Sequence, residues 1–173
     1  MILVVIDPGH GGQDPGAVAS DLKEKDLNLE ISVELTSLVQ HNRIPALLIR
    51  GEDLFLSLEQ RCEMANNLKA GLFLSVHCNA SQNQSAAGIE VFHAPDSGSG
   101  KKFARALHQE LSKLGRVDRG VKPAEYYVLK HTHMPACLVE CGFITNREEA
   151  AWMKSHISEL AQALARGISE FVS

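Results

Sequence analysis

The sequence lacks the features that mark several large classes of protein. No apolar run approaches the roughly 20 residues that a membrane-spanning helix needs. The 17 basic residues are outnumbered by 21 acidic ones and are scattered, which predicts neither nucleic acid nor an acidic membrane surface as a partner. The apolar start, Ile2–Ile6, is too short for a signal peptide and ends in an aspartate. We therefore expect a cytoplasmic product, a mature or excised domain, or a protein exported by another route.

The four cysteines also exclude some site types, because no two of them form the Cys-x-x-Cys pair of a zinc ribbon or redox centre. The chain has 173 residues, of which 45% are hydrophobic and 22% charged, as in an ordinary globular protein. One apolar core of that size folds without disulfide or metal staples. Any metal is therefore expected to serve chemistry rather than to hold the fold.

Short apolar runs alternate with stretches of helical periodicity, which predicts an α/β fold. We expect a single domain with a mostly parallel, twisted sheet of about six strands and helices on both faces. The predicted strands are Ile2–Ile6, Ala46–Ile49, Leu72–Val76, Gly88–His93, Tyr126–Leu129 and Ala136–Cys141. The predicted helices run from Leu27 with Asp26 as N-cap, over Ser57–Leu68 with a Ser57–Gln60 capping box, over Lys101–Leu114, and after Asn146, which has capping-box spacing to Glu149.

Three chemically useful side chains lie at the carboxyl ends of predicted strands, where sites gather in such sheets. His10 follows the first strand in a glycine-rich loop, His77 follows the third, and Glu140 ends a later one. Glu24 lies in a polar stretch before a helix. Two histidines and a carboxylate at separated positions are typical of catalytic zinc sites, which leave the fourth position open. Spacing alone does not single out one site, because eight histidines allow many such triples.

Five sequence segments, in a fixed order, indicate which of these residues form the site. Residues 5–17 (VIDPGHGGQDPGA) resemble the opening signature of the N-acetylmuramoyl-L-alanine amidases of the Amidase_3 type, which are zinc-dependent peptidoglycan hydrolases with an α/β fold. The resemblance continues at residues 22–29, 74–80, 88–92 and 135–146, in the family's order over essentially the whole chain. It implies that residues 1–173 form a zinc-dependent amidase catalytic domain. It also implies Zn²⁺ ligands at His10, Glu24 and His77, and a catalytic role for Glu140.

The implied reaction is cleavage of the amide between N-acetylmuramic acid and the L-alanine of the stem peptide by zinc-activated water. Glu140 would accept the proton of that water and pass it to the leaving amine. The implied site of action is the cell wall, extracellular or periplasmic. The alternatives are a zinc-dependent carboxypeptidase or deacetylase on another cell-wall amide, or a non-catalytic wall-binding domain.

The expected partner is the peptidoglycan substrate, and we expect a monomer. Some relatives carry an inserted helix that blocks the zinc until an activator binds. Here only Ala94–Gly100 separates the predicted strand from the next helix. We therefore expect an open groove that needs no activator protein.

The roles of several neighbouring residues stay open. Asp7 is either a partner that holds His10 or a turn-stabilising aspartate before Pro8, and Asn79 either orients a site group or is structural. We expect free buried thiols, with a bridge between Cys78 and Cys141 as the alternative. The residues interpreted as structural are Asn28, Arg61 and Asn66; those weighed as site candidates and set aside are Glu90, His131 and His133, with His93 a possible groove residue.

Overall fold

The computed structural model describes residues 2–19 and 21–173. Its centre is a six-stranded sheet with the strand order β4-β1-β5-β8-β6-β7. Neighbouring strands pair in parallel except β8 and β6, which are antiparallel. The mostly parallel sheet expected from the sequence is therefore confirmed. The strands are β1 Val4–Pro8, β4 Ala46–Leu48, β5 Leu72–Asn79, β6 Ile89–His93, β7 Asp118–Pro123 and β8 Ala136–Phe143, and a separate short pair joins β2 Val18–Ala19 to β3 Leu22–Lys23.

Helices cover both faces of this sheet, as expected. The larger layer packs α1, α3 and α6 around one apolar cluster, which contains Ile31, Phe103 and Leu164. The opposite face carries a smaller cluster, in which Phe73 and Leu138 meet residues of α2 and α4. The helices are α1 Glu24–His41, α2 Leu58–Asn67, α3 Gly98–Leu111, α4 Tyr127–His131, α5 Arg147–Ser155 and α6 Ile157–Val172, with a 3₁₀ turn at Ser112–Leu114. Within the described residues, no helix has the length and hydropathy needed to cross a membrane.

The predicted strand Tyr126–Leu129 is wrong, because these residues begin helix α4. Tyr126 is extended, and the chain then turns so that Val128 and Leu129 are buried against the sheet. A four-residue apolar run fits a strand and a buried helical turn equally well, so periodicity cannot separate them.

Strand β7 was missed for a related reason. It contains Gly120 and ends at Pro123, residues that favour loops, and it is only partly buried. As the last strand of the sheet it leaves one side unpaired, where such residues are tolerated.

Helix α1 begins at Glu24 rather than at Leu27. Lys23 occupies the N-cap position without a side-chain cap, and Asp26 lies in the first turn, where a negative charge favours the helix dipole. The predicted Ser57–Gln60 capping box is confirmed, since each side chain accepts a hydrogen bond from the other residue's backbone N–H. The earlier start of α1 matters because it puts Glu24 on a rigid element.

Three further boundaries differ from the predictions. Strand β1 continues through Asp7 and Pro8, and β5 continues to Asn79, so that His77 lies inside the strand. Helix α3 begins at Gly98, with the Ser97 side chain as its cap.

All four cysteines are free and buried, so the alternative bridge between Cys78 and Cys141 is not formed.

Candidate active site

His10, Glu24 and His77 converge at the carboxyl end of the sheet. Each offers one donor atom, and the three atoms lie within 4.8 Å of one another. His10 Nε2 is 3.2 Å from Glu24 Oε2, and His77 Nδ1 is 2.9 Å from Glu24 Oε1. The loop after β1, the first turn of α1 and strand β5 supply one residue each. Elements far apart in sequence thus bring the three predicted ligands into one cluster.

The loop that carries His10 has an unusual backbone held by two arginines. His10 itself has a φ of 61°, a left-handed conformation that costs free energy in a non-glycine residue. Arg61 donates hydrogen bonds to the carbonyl oxygens of Pro8 and His10, both at 2.8 Å. Arg50 donates to the carbonyl oxygens of Pro8 at 2.9 Å and Gly9 at 2.8 Å. These contacts fix the loop in the conformation that turns His10 toward Glu24.

Gly9 allows the loop and the His77 ring to approach closely. A Cβ atom at this position would lie 2.2 Å from His77 Cε1, a distance that no side chain tolerates. Glycine is therefore required here by space rather than by backbone conformation, since its φ is ordinary.

The orientation of the His10 ring is set by Asp14. Asp14 Oδ2 lies 2.8 Å from His10 Nδ1, and Asp14 Oδ1 accepts a hydrogen bond from Gly16 N. A carboxylate on one ring nitrogen leaves the other, Nε2, to face Glu24. Burial opposes a charge on His10, but Glu24 and Asp14 outweigh burial and raise the pKa of the imidazole.

Asp7 is not the partner that holds His10, because it does not contact that residue. Its carboxylate is buried and accepts hydrogen bonds from Arg61 Nη1 and from Ser75 Oγ. Asp7 therefore neutralises the arginine that holds the His10 loop. The i, i+4 spacing of His10 and Asp14 was the available sequence signal for the true partner, and it was missed.

Glu24 is held as a carboxylate by several donors. Burial raises its pKa, but His10 and His77 lower it more strongly, so that the net pKa is well below its usual range. The backbone N–H groups of Ala17 and Cys78 donate to it at 2.9 and 3.2 Å. Asn28, interpreted as structural, also contacts Glu24 Oε1 at 3.4 Å. Glu24 is thus fixed and ionised before any ligand arrives.

Glu140 lies beside this cluster with an unused carboxyl oxygen. It is directly opposite His77 in the pairing of β5 with β8. Its Oε2 atom is buried and has no hydrogen-bond partner among the described residues. Burial, together with the charges of Glu24 and Glu90, raises the pKa of Glu140 well above its usual value. A buried polar atom without a partner requires an explanation, and a substrate or water that it contacts supplies one.

Glu90 was weighed as a rival to Glu140 for the catalytic acid. Its carboxylate, unlike that of Glu140, is fully engaged with other side chains. It opposes Glu140 across the β8–β6 pair. Asn79 Nδ2 donates to Oε1 at 2.8 Å, Arg119 Nε lies 3.2 Å from the same oxygen, and Lys122 Nζ contacts Oε2. Asn79 therefore orients Glu90 and does not reach the His10–Glu24–His77 cluster.

A pocket of about 430 Å³ opens at Glu140 and the two histidines. Its apolar lining includes Phe55, Leu58, Tyr126, Val128 and Leu138. The histidines set aside in the sequence contribute nothing to it. His93 bonds to the Ala94 carbonyl, His131 stacks on Tyr127, and His133 bonds to Asn66 through its backbone.

The donor set fits a divalent metal ion. Two imidazole nitrogens and one carboxylate oxygen are the ligands of many catalytic zinc sites. The cluster faces a pocket rather than a closed core, as an ion with an open coordination position requires. Asp14 supplies the outer carboxylate that commonly orients a ligating histidine.

Comparison with known proteins identifies the family of this chain. A family model described as N-acetylmuramoyl-L-alanine amidase matches residues 4–170. The amidase LytC of Bacillus subtilis is 38% identical over 169 residues, which cover 95% of this chain and 34% of LytC. The amidase CwlM of Bacillus licheniformis is 39% identical over 96% of this chain and 66% of CwlM. The chain therefore spans about a third of the first relative and two thirds of the second.

A solved structure extends the likeness to the whole fold. The catalytic domain of CwlV, an N-acetylmuramoyl-L-alanine amidase from Bacillus (Paenibacillus) polymyxa var. colistinus, superposes with a TM-score of 0.95 at 35% identity, covering 99% of this chain and 98% of that one. The CwlD amidase from Clostridioides difficile, solved in complex with the GerS lipoprotein, gives a TM-score of 0.95 at 29% identity over 99% and 98% of the two chains. That neighbour has a protein partner, so the expectation of an activator-free monomer stays a prediction.

Proposed function

The chain belongs to the N-acetylmuramoyl-L-alanine amidase family of the Amidase_3 type, and on that premise we propose that it hydrolyses the bond between N-acetylmuramic acid and the L-alanine of the stem peptide in peptidoglycan. We propose that residues 1–173 are its zinc-dependent catalytic domain. The observation that carries the proposal is the position of Glu140, which lies beside the converging donors of His10, Glu24 and His77. In the part of the chain that the structure describes, its buried Oε2 atom has no hydrogen-bond partner.

The proposed cofactor is Zn²⁺, with His10, Glu24 and His77 as its ligands. When bound, zinc supplies Lewis-acid chemistry, which polarises the scissile carbonyl and lowers the pKa of water toward about 7. The protein's part is to hold the donors ready. Hydrogen bonds to Asp14, Ala17 and Cys78 fix the donors, so binding requires little reorganisation.

Glu140 is the proposed proton carrier. In the first step its carboxylate accepts a proton from the attacking water, and in the second it donates that proton to the leaving L-alanine nitrogen. A carboxyl group with its usual pKa would be a weak acid catalyst at neutral pH because it stays ionised. In the metal-free protein, burial and the charges of Glu24 and Glu90 raise the pKa of Glu140, and the same surroundings favour the protonated form that the second step consumes.

The substrate also suggests where the protein acts. Peptidoglycan lies in the cell wall, so we propose an extracellular or periplasmic site of action. We further propose that the protein acts as a monomer without an activator. The short connection from His93 at the end of β6 to Gly98 at the start of α3 supports this, since it leaves no room for a blocking helix.

Digestion of defined peptidoglycan, with and without a chelator, tests the proposal. Mass analysis should find new L-alanine amino termini and intact muramyl-lactyl acids, and the chelator should abolish both. Release of D-alanine would instead indicate a carboxypeptidase, and loss of acetyl groups a deacetylase. Absence of hydrolysis by the zinc-loaded protein would leave only wall binding.

The matched variant for this assay is Glu140→Gln, which keeps the size of the side chain and removes its basicity. It should bind zinc like the wild type and release no L-alanine amine above background. A Glu140→Gln protein that is folded but has lost zinc would instead make Glu140 a metal ligand.

A further inference from the structure

The sheet beyond Glu140 carries a cationic patch, formed by Arg119 and Lys122 of strand β7. Glu90 lies between this patch and Glu140, because β6 pairs with β8 on one side and with β7 on the other. Arg119 and Lys122 both contact the Glu90 carboxylate. Glu90 is directly opposite Glu140, and Lys122 is opposite Phe92, two residues further along β6 and on the same face as Glu90, so Glu140, Glu90 and the patch lie side by side.

The positive charges around Glu90 outnumber its single negative charge. One Glu90 carboxylate faces two cations, and its third partner, Asn79, is neutral. The Lys122 side chain is 42% exposed, and its ammonium has three N–H donors, of which the contact with Glu90 uses one. Arg119 is 35% exposed and lies over the Phe143 ring at 4.9 Å. Glu90 and its two basic partners therefore carry an excess positive charge, and Lys122 has N–H donors free for an anion.

On the other side of Glu140, the surface of the pocket is mostly apolar. The 430 Å³ pocket there is walled by Phe55, Tyr126 and Leu138. The charged side chains in its lining have partners there: Arg61 pairs with Asp7, and Asp14 contacts His10. Glu140 thus separates a region suited to an uncharged group from one suited to an anion.

The two sides of the scissile amide differ in the same way. N-acetylmuramic acid contributes a sugar ring and a lactyl group that are uncharged once linked, while the stem peptide continues past L-alanine into an acidic residue. We infer that Lys122 and Arg119 bind the carboxylate of that acidic residue, and that the apolar pocket receives the muramyl side. The inference rests on the proposed function and adds the orientation in which the substrate lies across Glu140.

Two synthetic muropeptides that differ only in this carboxylate, one carrying the free acid and the other its carboxamide, test the inference. The wild type should have a lower KM for the acid, and Lys122→Gln should raise that KM roughly two- to fivefold with little change in kcat, as expected for a partly exposed charge pair. The carboxamide should be hydrolysed equally by both. Lys113→Gln is the matched control, since Lys113 also pairs with a glutamate and is exposed, but lies on the 3₁₀ turn after α3.

A merely structural role for Lys122 would give a different pattern. If its loss acted through Glu90 on the pKa of Glu140, both substrates would slow alike, and the inference would be wrong. Lys122→Arg should restore the preference for the acid. Equal KM values of the wild type for the two substrates would also overturn it.

Binding to the inactive Glu140→Gln variant separates this inference from the proposed function. Calorimetry with the zinc-loaded variant should show tighter binding of the acid than of the carboxamide, and Lys122→Gln should remove the difference. Discrimination in binding without any turnover by the wild type would refute the proposed function and support the orientation. Turnover by the wild type without a difference in binding would support the proposed function and refute the orientation.

Discussion

Replacement of Glu140 by glutamine should stabilise the metal-free fold, and the gain should grow with pH. Within residues 2–19 and 21–173, the buried Oε2 atom of Glu140 has no hydrogen-bond partner, and Glu24 and Glu90 place like charges near it. The native protein therefore resists ionisation of this group, while the unfolded chain ionises it near the usual pKa of 4.5. Folding above that pH must either retain a proton or bury a charge.

The sign and size of the effect follow from proton linkage. A carboxyl group whose folded-state pKa is raised stabilises the protein below its unfolded pKa, and this stabilisation is lost as the pH rises toward the folded-state pKa. Each pH unit in that window costs about 1.4 kcal/mol. Between pH 5 and pH 7 the advantage of Glu140→Gln over the wild type should therefore grow by up to about 2.7 kcal/mol.

Urea denaturation of the metal-free proteins at pH 5, 6 and 7 measures this advantage directly. Glu30→Gln is the control, because Glu30 is exposed on α1 and its replacement should give a difference that is nearly independent of pH. A pH-independent difference for Glu140→Gln, or one that shrinks with rising pH, would refute the reasoning. It would mean that Glu140 is solvated in the native protein and not held in its protonated form.

Three further predictions follow from the site and its supports. Asp14→Asn should weaken zinc affinity roughly 10- to 100-fold by releasing the His10 ring, as measured by competition with a chelator; unchanged affinity would show that Asp14 does not orient the ring. Gly9→Ala should displace His77 and abolish zinc binding while circular dichroism shows an intact fold; normal zinc binding would contradict the close approach. Ser57→Ala should cost about 1 kcal/mol of unfolding free energy through the lost cap, with no change in zinc affinity; a loss of zinc would link α2 to the site more tightly than its contacts indicate.

Much of the fold could be predicted because its buried strands are continuous apolar runs. Strands β1, β5 and β8 are buried on both faces, and such runs are read easily from a sequence. The alternation of these runs with helical periodicity then fixes a parallel arrangement. Strand β7 and helix α4 were missed because neither has a periodicity or burial that distinguishes it from a loop or a strand.

The candidate site was predictable in part. Strand ends indicated His10, His77 and Glu140, whereas Glu24 depended on resemblance, because it begins helix α1 directly after Lys23, an N-cap residue that gives no recognisable capping signal. The choice of Asp14 over Asp7 as the partner of His10 depends on the left-handed backbone at His10. That conformation is held by Arg50 and Arg61, which are distant in sequence, so local pattern could not reveal it.

The cationic patch illustrates a different limit. Lys122 and Arg119 lie in a segment for which the sequence predicted no regular structure. They lie near Glu140 because of the strand order β8-β6-β7. The position of β6, antiparallel to β8 on one side and parallel to β7 on the other, is a property of the folded sheet. Only the three-dimensional arrangement relates these charges to the reaction.

The central claim is that one metal ion, held by His10, Glu24 and His77, is required for hydrolysis of the muramyl–L-alanine bond. Titration of the metal-free protein with Zn²⁺, with zinc content and release of L-alanine amine measured in the same samples, tests it most directly. The account predicts that hydrolysis rises linearly to one equivalent of zinc and then stays constant, and that a folded His77→Ala protein shows neither tight zinc binding nor hydrolysis. Hydrolysis by the metal-free protein, or full activity of His77→Ala, would contradict it.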